Sequence, residues 1–544
     1  MTLFDGLWDK FIFILRSPFM SVYYFSELNE KSLTLAESIL QNQKGVLIAF
    51  CNVGNTNVRL IGEARIAGCA LLSENEVSQR LSGRKKRFYF EIAEDMDANL
   101  NGVKKLLQVY ENKSVDCNRL KIFLFTTQPE AEIVLNATDK HGIEVNIVNI
   151  NILTAYKLIY EKPLYEGEKN NSISVLIIGT THLATEILRA VLWCGQLGEE
   201  RSLQITVIDK EAMRCKAILK RNYPELIDGD YTLNFIDVDT ETENFKRVLD
   251  ESCQDTTYVI TALDSDKKNI ETALYLRAYY LRGSLEFENE PTICAYIQND
   301  TKASVTAEFA AVDRDRIQKK GWDFSTKAAQ YYKIYPFGSS RSIYSYEAIM
   351  DSEIEKLALN CSAVYELAFS SGAATSEQIL ASYNADETNK RSNRAAAIHI
   401  KYKLHALGFQ MTDASRPSEP LKELEDKNTL EALSRLEHSR WMAFQRSEGY
   451  CGATIEETQK YIEQTKSHKY VRAKLHVCIC DWDKLDEAAA LFDPDFKKYD
   501  ENLIKSIPDV LGITDNSKIN LSGIKYNVER LDENAGCTSS RLLS

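Results

Sequence analysis

The chain has 544 residues, 44% of them hydrophobic, with a formal net charge of −13 and 12 cysteines. That length implies two to four domains of about 150 residues, and the apolar share is that of ordinary soluble domains. The acidic balance argues against a nucleic-acid partner, the absence of a run of about eighteen apolar residues argues against a transmembrane helix, and the absence of C-x-x-C and H-E-x-x-H spacings argues against a metal site.

Residues 1–17 form an apolar segment carrying Phe11, Phe13, Ile14 and Leu15, interrupted by Asp9, Lys10 and Arg16. It lacks the basic start and small-residue cleavage site of a signal peptide. We read it as a helix docked on the first domain, with an interfacial anchor or an oligomer contact as the alternative. Scattered cysteines indicate reduced thiols. The expected location is therefore cytoplasmic, with membrane-peripheral contact through the N-terminus as the variant.

Residues 18–165 alternate strand-like and helix-like stretches. The strands are SVYYF (Ser21 to Phe25), GVLIAF (Gly45 to Phe50), RFYFEIA (Arg87 to Ala93), KIFLF (Lys121 to Phe125) and IEVNIV (Ile143 to Val148). A helix over Ser26 to Leu40 follows the first. The basic run Gly83 to Phe88 reads as a solvated loop before a strand. Strands alternating with helices predict βαβ units and a parallel sheet.

A second alternating series spans 170–325. Its strands are ISVLIIG (from Ile173), LQITVID (Leu203 to Asp209), YTLNFIDV (Tyr231 to Val238), TYVITAL (Thr257 to Leu263) and TICAYIQ (Thr292 to Gln298). The stretch YPFGSSRSIYSYE reads as a loop because of Pro336 and Gly338. Residues 326–428 are a helical connector, 429–512 a compact, mainly helical unit, and 513–544 a polar, loosely held tail. The fold class is α/β: two tandem Rossmann-like, doubly wound parallel sheets, then a mainly helical C-terminal domain.

The turn in VLIIGTTHLATEIL carries the first functional signal. In a dinucleotide fingerprint the first glycine makes the tight turn, the second lets backbone approach the pyrophosphate, and the third lets helix and strand pack closely. Here those positions are Gly179, Thr181 and Ala184. The helix start still offers free N–H groups and a positive dipole end. Gly179, Thr180, Thr181 and His182 would meet phosphate. Asp209, followed by Lys210, ends the second strand, where an acidic residue bonds ribose. Asp264 and Ser265 end the fourth strand at the ligand-bearing edge, and a helix with Ile270, Ala273, Leu274, Ala278 and Leu281 on one face follows. The alternative is a Rossmann scaffold without ligand. The first domain offers an equivalent turn at Ser26, Glu27, Leu28 and Asn29.

The stretches VLIIGTTHLATEIL, ITVIDKE and VITALDSDKKNIETAL resemble the TrkA-N domain, the N-lobe of RCK proteins that regulate potassium conductance. The resemblance covers residues 172–300 and departs at Thr181. The segment ALSRLEHSRWMAFQRSEGY, with Glu437-His438-x-x-Trp441, Gly449-Tyr450, Trp482-x-x-Leu485 and Leu503 to Leu511, resembles the RyR domain, the helical repeat named after ryanodine receptors. A basic, histidine-containing stretch at Lys469 to His476 departs from that pattern. Together the two likenesses imply a bacterial nucleotide sensor. The regulatory ligand would be NAD(H), ATP/ADP or a cyclic nucleotide, and the protein would form a homo-oligomer, a dimer or higher. A membrane channel or an effector would be the partner, in ion-transport regulation or anti-phage signalling. Glu437, His438 and Trp441 are pocket candidates in the RyR-like unit, against the plainer reading of a core histidine. The rival reading is an enzyme degrading NAD or a cyclic nucleotide, in which Glu27 or Glu437 would have to act. The remaining alternative is a non-binding scaffold.

Overall fold

The structure is a computed structural model that describes residues 3–531, apart from 53–56, 79, 82–84, 112–118, 129, 199–200, 228, 230, 284–289, 309–331, 414–417 and 493–494. The described residues form two compact units. The first comprises 1–153 with 340–352 and 384–387, and the second the remainder.

The first unit is built on β1 (Ser21–Glu27), β2 (Val46–Asn52), β3 (Ala70–Leu71), β4 (Arg87–Glu91), β5 (Leu120–Phe125) and β6 (Glu144–Val148). Their order, β3-β2-β1-β4-β5-β6, is that of a Rossmann sheet, and every pairing is parallel. A parallel sheet covered on both faces needs strands that are apolar throughout, and Val22 to Phe25 are all buried. In-register aromatics stack across the sheet: Tyr23 on Phe88 at 4.6 Å, Phe25 on Phe90 at 4.8 Å, and Phe90 on Phe123 at 4.9 Å. Such cross-strand pairs help fix register. Helix α1 (Leu3–Arg16) places Phe13 in this core, edge-on to Tyr24. β1 runs on through Ser26 and Glu27, so α2 (Glu30–Asn42) starts later than the sequence suggests. Its cap is Asn29, in a reciprocal box with Ser32. α3 (Met96–Glu111) follows β4. Arg87 of the basic run is not solvated; it is buried and donates to the Ser17 and Met20 carbonyls.

The second unit repeats the topology with β7 (Ser172–Ile178), β8 (Ser202–Asp209), β9 (Thr232–Asp237), β10 (Tyr258–Thr261), β11 (Thr292–Tyr296) and β12 (Ile334–Phe337), in the order β12-β11-β10-β7-β8-β9. β12 lies in the stretch read as a loop. Pro336 is tolerated because this is an edge strand, where a missing N–H costs no ladder bond. α4 (His182–Cys194) follows β7, α5 (Ala212–Asn222) follows β8, and α6 (Asp266–Gly283) follows β10. On α6 the buried stripe is Asn269, Thr272, Ala273, Leu276, Arg277 and Tyr280, whereas Leu274 is exposed. Arg277 turns inward because Glu290 and the carbonyls of Tyr332 and Lys333 satisfy it.

Three long helices follow: α7 (Glu353–Phe369), α8 (Glu387–Ala406) and α9 (Lys427–Ser447). α10 (Phe496–Lys505) packs on α9. α4 is buried all round from Ile187 to Cys194 because α9 covers its outer face. Trp193 sits there edge-on to Tyr156 at 5.4 Å and near Phe444 at 6.3 Å. The Lys469 to His476 stretch forms a small hairpin, to which Cys451–Gly452 adds in parallel. Cys478 and Cys480 lie beyond it in a turn. The tail is partly held: Tyr526–Arg530 pairs antiparallel with Phe409–Asp413, and Val528 is fully buried. The ten described cysteines are free thiols. Among the described residues no helix is long and apolar enough to cross a membrane.

Candidate functional site

The turn after β7 is shaped by one glycine. Gly179 has φ +122°, and a Cβ there would lie 2.5 Å from the Ala262 carbonyl oxygen. Only glycine allows the chain to pass this close to the exit of β10. Thr181 is the N-cap of α4; its hydroxyl accepts from the Ala184 N–H (3.1 Å) and donates to the Ala262 carbonyl (2.8 Å). Its oxygen is thus engaged by the protein, and its methyl-bearing branch stands where a fingerprint would place bare backbone. Among the described bonds the N–H groups of His182 and Leu183 take no acceptor, as befits a first helical turn.

This turn borders a cleft of about 380 Å³ at the carboxyl edge of the sheet. Thr180, Thr181, Asp209, Lys210 and Asp264 line it, so five of the sequence-identified residues meet there. Gly179, His182 and Ser265 belong to the same turns without lining it. Ser265 instead accepts from the Lys268 N–H at the start of α6 (3.4 Å). Sequence reasoning missed Asp239, Glu241 and Lys268, which also line the cleft. The available signal was position: Asp239 and Glu241 follow β9 at the edge where α/β sheets hold ligands.

The charges in the cleft are arranged in pairs. Lys210 Nζ lies 2.8 Å from Asp239, and Lys268 Nζ 3.1 Å from Asp264. The hydrogen bond between them holds the Asp239 carboxyl below its ordinary range and raises the Lys210 ammonium. One oxygen of Asp209 accepts the Glu211 N–H at 3.0 Å. The β10–α6 turn is set by buried Asn269, which accepts from the Leu263 N–H and donates to the Leu263 carbonyl. Beyond it, the two oxygens of Asp266 accept the N–H groups of Gln298 and Asn299, at 2.9 and 3.0 Å.

The candidate turn of the first unit is filled by its own bonds. Leu28 is buried in the core. The Asn29 carboxamide accepts from the Ser32 N–H and donates to the Ile92 carbonyl and to Glu27. Ser26 accepts from the Ile92 N–H. Beside it lies Glu91, whose carboxyl is pushed up to about 7, chiefly by burial, with hydrogen bonds from Ser26 and Tyr89 opposing the rise. A Cβ on Gly102 of α3 would strike this carboxyl at 2.5 Å, so the helix closes over it.

The residues nominated in the C-terminal helical unit are packed, not open. Glu437 is fully buried and bonded to Arg440 (2.8 Å) and Lys403 (2.7 Å). Burial works against its charge, but those two cations outweigh it and hold the carboxyl at about 2. His438 has Nε2 2.9 Å from the Cys480 carbonyl and Nδ1 3.4 Å from Asp500, and its ring stacks near Trp441 at 5.8 Å. This matches the plainer core-histidine reading.

A further charged contact escaped the sequence entirely. Arg189 on α4 reaches Glu186, the Ser447 carbonyl and Glu448, at 2.7–2.9 Å. Arg391 of α8 grips the other oxygen of Glu448 at 2.6 Å. Burial opposes ionisation of Glu448, but Arg391 and Arg189 hold it at about 2. Glu225, just beyond α5, accepts the Gly452 N–H at 2.9 Å and pairs with Arg446. Both helices that follow the cleft-lining strands β7 and β8 are therefore tied to the end of α9. The chain matches no family model and no curated protein.

Proposed function

We propose that the protein is a nucleotide-responsive regulator. The observation that carries this reading is the cleft in which Asp209 and the α4 start face one space at the carboxyl edge of a Rossmann-ordered sheet. Phosphate would sit at the start of α4, where Thr180 and Thr181 line the cleft. Asp209 would accept from ribose with its second oxygen. The likeness to TrkA-N and RyR domains supports an adenine nucleotide or a nucleotide-derived messenger, a homo-oligomeric state, and a channel or effector as partner. The ties from Arg189 and Glu225 to the end of α9 would pass the bound state to the C-terminal helices. Neither Glu27 nor Glu437, the carboxylates an enzyme reading needs, lines the cleft.

Thermal unfolding against a nucleotide panel tests this. A ligand at 100 times its dissociation constant adds about 2.7 kcal/mol, and Asp209→Ala abolishes that gain. Absence of any shift would leave a scaffold. Sustained product release from an incubated nucleotide would instead establish an enzyme.

A further inference from the structure

All strand pairings in the first unit's sheet are parallel, so the segments that enter its strands meet at one amino edge. That edge lies opposite the carboxyl edge at which such sheets hold ligands. Cations gather there. Arg16 closes α1 just before β1, Lys44 precedes β2, Lys85 and Lys86 precede β4, and Arg119 precedes β5, all of them exposed. Backbone bonds set these entries side by side: the Val22 N–H donates to the Lys86 carbonyl at 3.2 Å, and the Arg87 N–H to the Arg119 carbonyl at 2.8 Å. Buried Arg87 holds the α1–β1 connection against this edge by donating to the Ser17 and Met20 carbonyls, at 2.6 and 2.8 Å. At the β6 end Asp139 faces His141 at 3.3 Å and Glu144 faces Lys121 at 2.8 Å.

Apolar side chains stand beside these cations. α1 buries Phe13 and leaves Ile14 36% and Leu15 57% exposed, and in the connection after it Phe19 is 76% exposed. Exposed apolar groups flanked by Lys and Arg suit an interfacial contact, in which the apolar groups enter the headgroup boundary and the cations meet anionic lipid. The net charge of −13 does not oppose this. At physiological salt, charges more than about 8 Å from the surface are largely screened, so the local cations decide and orient the molecule edge-on. A symmetric contact with a second copy is disfavoured, because an isologous interface places the same patch on both sides and would set Lys85 and Lys86 against like charge.

We propose that the amino edge of the first sheet docks on an anionic lipid surface, with Leu15 and Phe19 entering the headgroup layer and Lys85 and Lys86 meeting lipid phosphates. The test is flotation of the full chain with vesicles of phosphatidylcholine alone and of phosphatidylcholine mixed with phosphatidylglycerol. The chain is expected to float with the mixed vesicles, to bind phosphatidylcholine alone roughly tenfold more weakly or less, and to leave the mixed vesicles as salt is raised. Replacing both lysines, Lys85→Gln with Lys86→Gln, should lower partitioning by on the order of thirtyfold, and Phe19→Ser should lower it as well. Both variants should unfold at the wild-type urea midpoint, because they change only exposed side chains. Equal flotation with the two vesicle types, flotation with neither, or wild-type flotation by both variants overturns the proposal. If the chain ignores vesicles and Phe19→Ser instead splits an oligomer, the face belongs to a second copy and the lipid assignment falls.

Discussion

At the scale of single residues, Glu91 gives a clear pH signature. Its carboxyl is pushed from 4.5 to about 7 in the folded chain. The folded state therefore holds a proton that the unfolded state releases first. The resulting stability is fully present below pH 4.5 and is lost as pH rises through 7. A shift of this size corresponds to about 3 kcal/mol. Glu91→Gln keeps the shape without the titration, so the urea midpoint of the wild type should fall more than the variant's between pH 5 and 7.5. Parallel curves for the two proteins would refute this. Glu437 behaves in the opposite sense. Glu437→Gln leaves Lys403 and Arg440 buried without their shared anion and should cost about 3–5 kcal/mol. An unchanged midpoint would show that those cations find other partners. These buried charges were illegible in the sequence. Charged letters read as surface, and nothing in the spacing of Arg189, Arg277, Lys403 or Glu437 announces a partner far away in the chain. Asp209 was legible because its position follows from strand order.

At the scale of elements, the β7–α4 turn decides whether a ligand can approach. Gly179 has a left-handed φ and a neighbouring peptide too close for any side chain. Gly179→Ala should therefore destabilise by about 1–3 kcal/mol and pull the turn away from Ala262. The check is a chemical denaturation curve, and a variant as stable as the wild type would mean that the turn relaxes freely. The ten strands read from alternation are all present, since long apolar runs between turn residues leave little choice. The two strands missed in the six-stranded sheets are edge strands, one of two residues and one containing Pro336. The face of α6 was misjudged for the reason given by Arg277: a satisfied guanidinium packs inward and rotates the buried stripe.

At the scale of the whole molecule, the chain does not keep to sequence-contiguous domains. Ile343 and Tyr344 belong to the core of the first unit although they follow β12 of the second. No composition shift marks that excursion, which is why it could not be read in advance. The functional consequence lies within the second unit. If α4 and Glu225 carry the bound state to α9, nucleotide binding must slow amide exchange beyond the cleft. With saturating ligand, protection should appear at residues 179–185 and 209–213 and extend to 440–452. Arg189→Gln removes the bond to Glu448 while leaving every cleft-lining side chain in place. In that variant the cleft should keep its protection and 440–452 should lose theirs. Protection confined to the cleft in the wild type would show that binding stops there. Protection lost everywhere in Arg189→Gln would show that the arginine supports the fold of α4 instead of linking it to α9.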